Sequence, residues 1–131
     1  QEMDKISRRG NVLSLNIPIS IKEKTWFNLS GLENYFKKLI KTYSYSREDI
    51  LATLFHTISK LIYRAIVNSC IEYNLDSILI TGGVSANRIL RLYLNNNLME
   101  KKINPYFTNV ELCTDNGIGI AFMGKEKISS R

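Results

Sequence analysis

One long apolar stripe constrains this chain more than any other feature. Ile50, Leu54, Ile58, Leu61, Ile62, Ala65, Ile66, Cys70 and Tyr73 follow one another at helical spacing, which predicts a single long amphipathic helix. Ser46-Arg47-Glu48-Asp49 stands just ahead of it, with a serine placed to accept from the unpaired backbone donors of the first turn. Such a helix needs a core to lie against. At 131 residues, 44% hydrophobic and with 2 prolines, the chain has the apolar content of one modest globular domain. No uninterrupted apolar run approaches the roughly 20 residues of a membrane span, and the charged amino terminus is unlike a signal peptide. No membrane partner is therefore expected. Cys70 and Cys113 lie far apart, without metal-ligand spacing, which fits a reducing compartment and makes the cytoplasm the expected location.

Shorter signals flank the long helix. Met3 and Ile6 suggest one turn of helix stopped at Gly10. Leu13, Leu15, Ile17, Ile19 and Ile21 alternate with Ser14, Asn16, Pro18 and Ser20, the period of a half-buried strand, which Pro18 would confine to an edge. Ser30-Gly31-Leu32-Glu33 has capping-box spacing, and Leu32, Tyr35, Phe36, Leu39, Ile40 and Tyr43 continue it as an apolar helical face. Lys37, Lys38 and Lys41 read as the solvated side of that helix. Lys101-Lys102 and the tail from Lys125 to Arg131 read as ordinary basic surface, within a net charge of +6 that favours polyanions such as tRNA.

Ile78-Leu79-Ile80 is a short continuous apolar run ending at Thr81-Gly82-Gly83, the pattern of a buried parallel strand. Ser85 is placed to cap a helix carrying Ile89, Leu90 and Tyr93 inward until Asn95-Asn96-Asn97 weakens it. Gly82 and Gly83 let a ligand approach the backbone closely. The next helix would offer unpaired N–H groups and a positive dipole end at the carboxyl edge of the sheet. Asn87, one turn on, suits a nucleotide hydroxyl or base edge, whereas the plain alternative is a tight turn with a surface amide. Pro105 marks a connection, and 106–112 reads as a second strand. Thr114-Asp115-Asn116-Gly117 reads either as a hairpin with a type I′ turn or as the cap of a helix through Ile118, Ala121 and Phe122. Patterning leaves both open.

Three segments in register, Phe27-Asn28-Leu29-Ser30-Gly31-Leu32, Gly82-Gly83-Val84-Ser85-Ala86-Asn87-Arg88-Ile89-Leu90-Arg91 and Cys113-Thr114-Asp115-Asn116-Gly117, together resemble the TsaD family of tRNA threonylcarbamoyladenosine-synthesis proteins. The resemblance runs from about Met3 to Gly124. It implies an α/β fold of the ASKHA (actin-like ATPase, RNase H-like) kind, here a partial, helix-rich carboxyl-terminal lobe with a small parallel sheet. A helical region would occupy about 1–75 and a strand–helix nucleotide and metal region about 76–124. It implies transfer of threonylcarbamoyl from threonylcarbamoyl-adenylate to tRNA, alongside other subunits of a tRNA-modification complex. By resemblance, Asn87 with Gly82 and Gly83 contacts the adenine nucleotide and Asp115 ligates iron or a similar divalent metal. The same resemblance favours the helix after Asn116.

The family's remaining metal ligands come from an HxxxH motif, and this chain has a single histidine, His56, placed mid-helix. The expectation is a fragment that supplies one nucleotide wall and one metal ligand and is inactive alone. Its two strands would lack sheet neighbours, so exposed strand edges completed by self-association, or an altered packing, are expected. Glu33-Asn34 and Ile118-Gly119 depart from the family pattern, which keeps open a non-catalytic binding or assembly paralogue and another ASKHA carbamoyltransferase or kinase. A metalloprotease has no support, because HExxH is absent.

Overall fold

The computed structural model describes residues 2–17, 19, 21–22, 26–27, 29–42 and 44–113. Helix α1 (Glu2–Ser7) is followed by a turn at 8–10 and by irregular chain over 11–17. The paired strands β1 (Ile21–Lys22) and β2 (Trp26–Phe27), α2 (Ser30–Thr42) and α3 (Arg47–Tyr73) come next. Strand β3 (Ser77–Ile80), a tight 3-10 turn at Gly83–Ala86, α4 (Arg88–Glu100), β4 (Asn104–Phe107) and a second 3-10 turn at Val110–Leu112 complete it. β1 and β2 are antiparallel; β3 and β4 are parallel, with Ile78 opposite Pro105 and Ile80 opposite Phe107.

α3 forms as expected. The Ser46 hydroxyl accepts from Asp49 N at 3.1 Å, and Asn74 closes the other end with φ 52° and ψ 51°, a left-handed conformation that asparagine tolerates. Its length and composition would suffice to cross a membrane, but here it runs through two cores. Its first half meets Leu32, Phe36 and Leu39 of α2 together with Leu15, Ile17 and Ile19; its second half meets Leu90, Leu94 and Leu98 of α4 and Ile80 of β3. Buried polar residues on α3 are satisfied locally: the hydroxyls of Thr53, Thr57 and Ser59 donate to the carbonyls four residues back, at 2.6–2.7 Å.

Several expectations need correction. The alternation from Leu13 to Ile17 is real as burial, with Leu13, Leu15 and Ile17 half-buried between exposed neighbours, but 11–17 forms no strand. The Leu13 N–H donates to Thr53 Oγ1 at 2.9 Å instead, and those of Leu15 and Ile17 donate to carbonyls two residues back. Backbone that finds side-chain and local partners has no need of a ladder. The second strand lies earlier than expected, at 104–107 with Pro105 inside it, and Val110–Leu112 is a 3-10 turn. α4 runs through Asn95-Asn96-Asn97 to Glu100, where Asn97 Nδ2 donates to Tyr93 O at 2.7 Å. Ile40 and Tyr73, assigned to inward stripes, are 61% and 66% exposed. Tyr43, Pro18 and everything from Thr114 onward, including the hairpin-or-helix question, lie outside the described residues.

Candidate functional site

The two parallel strands deliver two loops to the same edge. After β3, Gly82 takes φ 98° and ψ 163°, a region open essentially to glycine alone. Gly83 differs: a Cβ there would find Cys113 O at 3.7 Å and nothing nearer, an ordinary contact, so neither backbone strain nor crowding requires glycine at that position.

Ser85 does not cap α4. It is absorbed in the 3-10 turn, where its hydroxyl donates to Gly82 O at 2.7 Å and lies 3.4 Å from Cys113 Sγ. Asn87 caps instead: its Oδ1 accepts from Leu90 N at 3.0 Å. Its Nδ2 reaches 83 residues back along the chain, to Asp4 Oδ1 at 2.8 Å. The same Asp4 oxygen accepts from Arg88 N at 2.9 Å, and Arg8 pairs with the other. A carboxylate thus already occupies the positive end of α4, where it is favoured electrostatically. The helix end expected to be free for an anion is taken.

Arg91 ties the two loops together. Its Nε donates to Ser85 O at 2.7 Å, and its terminal nitrogen donates to Thr108 O at 2.6 Å. Its guanidinium lies 5.1 Å from the centre of the Phe107 ring. Cys113, the described end of the second motif, is buried against Ser85 and Thr108. Burial alone would push its thiol up, but the Ser85 and Thr108 hydroxyls, with the Arg91 charge, hold it below the usual range. The structure therefore brings Gly82, Gly83, Asn87 and Cys113 to one edge. Asp115, two residues past Cys113, lies outside the described residues.

Beside this edge, a cleft of about 450 Å³ is lined by Met3, Asp4, Gly83, Val84, Ala86 and Asn87, among others. Its volume lies in the range of small-molecule sites. Arg91 ends the motif that begins at Gly82, yet neither pattern nor resemblance gives it a role; Asp4, on a six-residue helix at the far end of the chain, carries no sequence signal at all.

The sequence matches the family described as carbamoyltransferase, Kae1-like domain, second subdomain, over residues 2–122. The chain belongs to this family. Proteins named tRNA N6-adenosine threonylcarbamoyltransferase resemble this Kae1-like subdomain. The one from Fusobacterium nucleatum subsp. nucleatum is 30% identical over 91% of this chain and 36% of its own length. Those from Acaryochloris marina and Persephonella marina are 30% and 31% identical, over 96% and 95% of this chain and 38% of theirs. The subdomain thus spans little more than a third of the relatives it matches. The crystal structure of T. kodakarensis HypF superposes with a TM-score of 0.68 at 18% identity, over 98% of this chain and 17% of that one, a likeness of fold. The resemblance to the tRNA-modifying family and the ASKHA-type fold are both borne out.

Metal binding is a separate matter. Among the described residues, no group of three or more His, Cys, Asp or Glu stands together. His56 meets Tyr93 edge to face with ring centres 5.1 Å apart, packed as a mid-helix histidine is expected to be. A divalent ion prefers several oxygen or nitrogen ligands, and the described residues do not fit one.

Proposed function

We propose that this subdomain belongs to a longer tRNA N6-adenosine threonylcarbamoyltransferase and forms one wall of its adenylate site. The observation that carries the reading is the cleft at the carboxyl ends of two parallel strands, walled by Gly83, Ala86, Asn87 and Asp4, in a chain 30% identical to proteins of that name. Because Asp4 already fills the positive end of α4, this wall suits the nucleoside better than a phosphate. Asp4 Oδ2, shared with Arg8, has room for one hydroxyl donor, Gly83 admits the ligand against backbone while Gly82 shapes the turn before it, and Asn87 holds the wall in place. In the reaction, the threonylcarbamoyl carbon passes from the adenylate to N6 of an adenosine in tRNA, and AMP leaves. The residues of this chain position the donor for that transfer.

Asp115 contributes one carboxylate to a divalent metal site, iron by resemblance, whose other ligands belong to the remainder of the longer protein. Other subunits of a tRNA-modification complex and a cytoplasmic setting belong to the same reading.

Gly83→Leu provides the test. A Cβ at this position meets only Cys113 O, at 3.7 Å, so thermal stability should change by no more than about 1 kcal/mol, while the leucine adds bulk to a residue that lines the cleft. Calorimetric titration with a non-hydrolysable threonylcarbamoyl-adenylate analogue should show at least a tenfold loss of affinity, corresponding to about 1.4 kcal/mol. Unchanged affinity in a folded variant would refute the site.

The outer face of the β3–β4 sheet, where Leu79 and Tyr106 are 66% and 61% exposed, is covered by a second copy when the subdomain is alone, since parallel sheets are normally covered on both faces. Light scattering should show a concentration-dependent rise in mass. A constant monomer mass at high concentration would count against this pairing.

A further inference from the structure

A second cleft, sharing no residue with the first, lies between residues 12–17 with Ile19 and α3. It measures about 350 Å³; Ser14, Asn16, His56 and Lys60 give it polar groups from both sides, beside Val12, Leu13, Leu15, Ile17 and Ile19. His56 lines it and is half-buried. Its ring meets Tyr93 at 5.1 Å and Tyr93 meets Tyr63 at 6.1 Å, each edge to face, and both tyrosines pack against the core that α3 shares with α4.

Cations flank these rings. Lys60 and Arg64 are exposed one helical turn apart on α3, and both are close enough to be felt electrostatically, Lys60 by His56 and Arg64 by Tyr93. Burial, then the Lys60 charge, keeps the His56 imidazole below its ordinary pKa, so at neutral pH it is uncharged and offers one donor and one acceptor. Residues 50–71 of α3 and 88–99 of α4 hold no aspartate or glutamate; Asp49, whose carboxylate accepts from Asn11 N at 2.7 Å, is the acidic group before the first of these stretches.

A cleft of nucleotide size, a half-buried neutral imidazole in its lining and two exposed cations one turn apart match what unpaired RNA requires. Single-stranded RNA is read by stacking and base-edge hydrogen bonds, with cations on the phosphates. We propose that the cleft between residues 12–17 with Ile19 and the His56–Arg64 face of α3 seats an unpaired ribonucleotide against His56, with Lys60 and Arg64 on the flanking phosphates. The assignment rests on the tRNA reading above and adds to it the surface that holds the acceptor strand. A lipid surface would want exposed apolar groups here, and the cleft has polar groups from both sides instead.

The test is fluorescence anisotropy with a labelled RNA hairpin that has a single-stranded loop, compared with a fully paired duplex of the same length. The variants are Lys60→Ala/Arg64→Ala, both at exposed positions, and His56→Ala. The double variant should bind the hairpin about tenfold more weakly, and the slope of log affinity against log salt should fall by about 1.4, the value for two phosphates on a single strand. His56→Ala should weaken hairpin binding while leaving the duplex unchanged. Hairpin affinity unchanged in the double variant overturns the proposal, as does equal loss towards hairpin and duplex, or displacement of the RNA by polyglutamate, which would mark an acidic-protein surface. Adenylate binding, measured in parallel, should be the same in all variants. Its absence from a wild-type chain that binds the hairpin would sink the adenylate site and leave this surface standing.

Discussion

Gly10→Ala is expected to cost about 3 kcal/mol of stability, at the upper end of what a backbone clash in a packed region exacts. A Cβ at Gly10 would lie 2.0 Å from Glu48 O and 2.2 Å from Glu48 C. These are backbone atoms at the start of α3, anchored by the Ser46 cap and by Asn11 N, which donates to Asp49 Oδ1 at 2.7 Å. That bond, followed by the one from Ser46, holds the Asp49 carboxyl below its ordinary pKa, so it remains charged and gripping at neutral pH. No flexible side chain stands there to yield. The segment carrying α1 must move instead, and Asp4 moves with it away from Asn87 and Arg88. A thermal melt should therefore fall by roughly 10 °C, and adenylate affinity should fall along with it. Gly31→Ala is the control, since nothing lies within 4 Å of its added methyl group. It should be neutral or stabilising by less than about 1 kcal/mol. Equal melts for the two variants would show that the α1–α3 approach is looser in solution than described.

Gly10 also shows where sequence reading stops. Read locally, it is a helix stop, and α1 does end at Ser7; its reason for being glycine lies 38 residues away, in the backbone of α3. What could be read was periodic or local: the Ser46 cap, the face of α2 through Leu32, Phe36 and Leu39, and the Ile78–Ile80 strand ending at Gly82. Alternation at Leu13–Ile17 correctly foretold burial but not strand pairing, because the period of side chains says nothing about which acceptor the backbone will meet. Ser85 and Asn87 are both competent caps, and only the 3-10 turn that consumes Ser85 decides between them. The candidate site divides in the same way. Gly82, Gly83 and Asn87 were visible as a motif, while Asp4 reaches them through a tertiary contact that no window of sequence contains.

Asn87→Ala is expected to destabilise the chain by about 2–3 kcal/mol, through loss of the cap and of a charge-assisted hydrogen bond. Asn87 is 3% exposed, with Oδ1 bound to Leu90 N and Nδ2 to Asp4. An amide can make about four hydrogen bonds; two are spent inside the protein, and burial to 3% exposure leaves the other two little access to a ligand. On this geometry Asn87 is chiefly a positioning residue, which narrows the direct nucleotide contact suggested by resemblance. Asn87→Asp separates the two roles. A carboxylate still caps and is favoured at a helix start, but it places a second negative charge against Asp4 where an amide donor stood. Asn87→Asp should thus be nearly as unstable as Asn87→Ala, and Asp4→Asn should restore it by returning a donor to the pair. The Asp4→Ala and Asn87→Ala cycle, measured by denaturant melts, should give a coupling of about 1 kcal/mol or more. Zero coupling would mean that the link between α1 and α4 does no work in solution. If Asn87 touches the adenylate directly, Asn87→Asp/Asp4→Asn will regain stability without regaining affinity; if it only positions the wall, the two will return together.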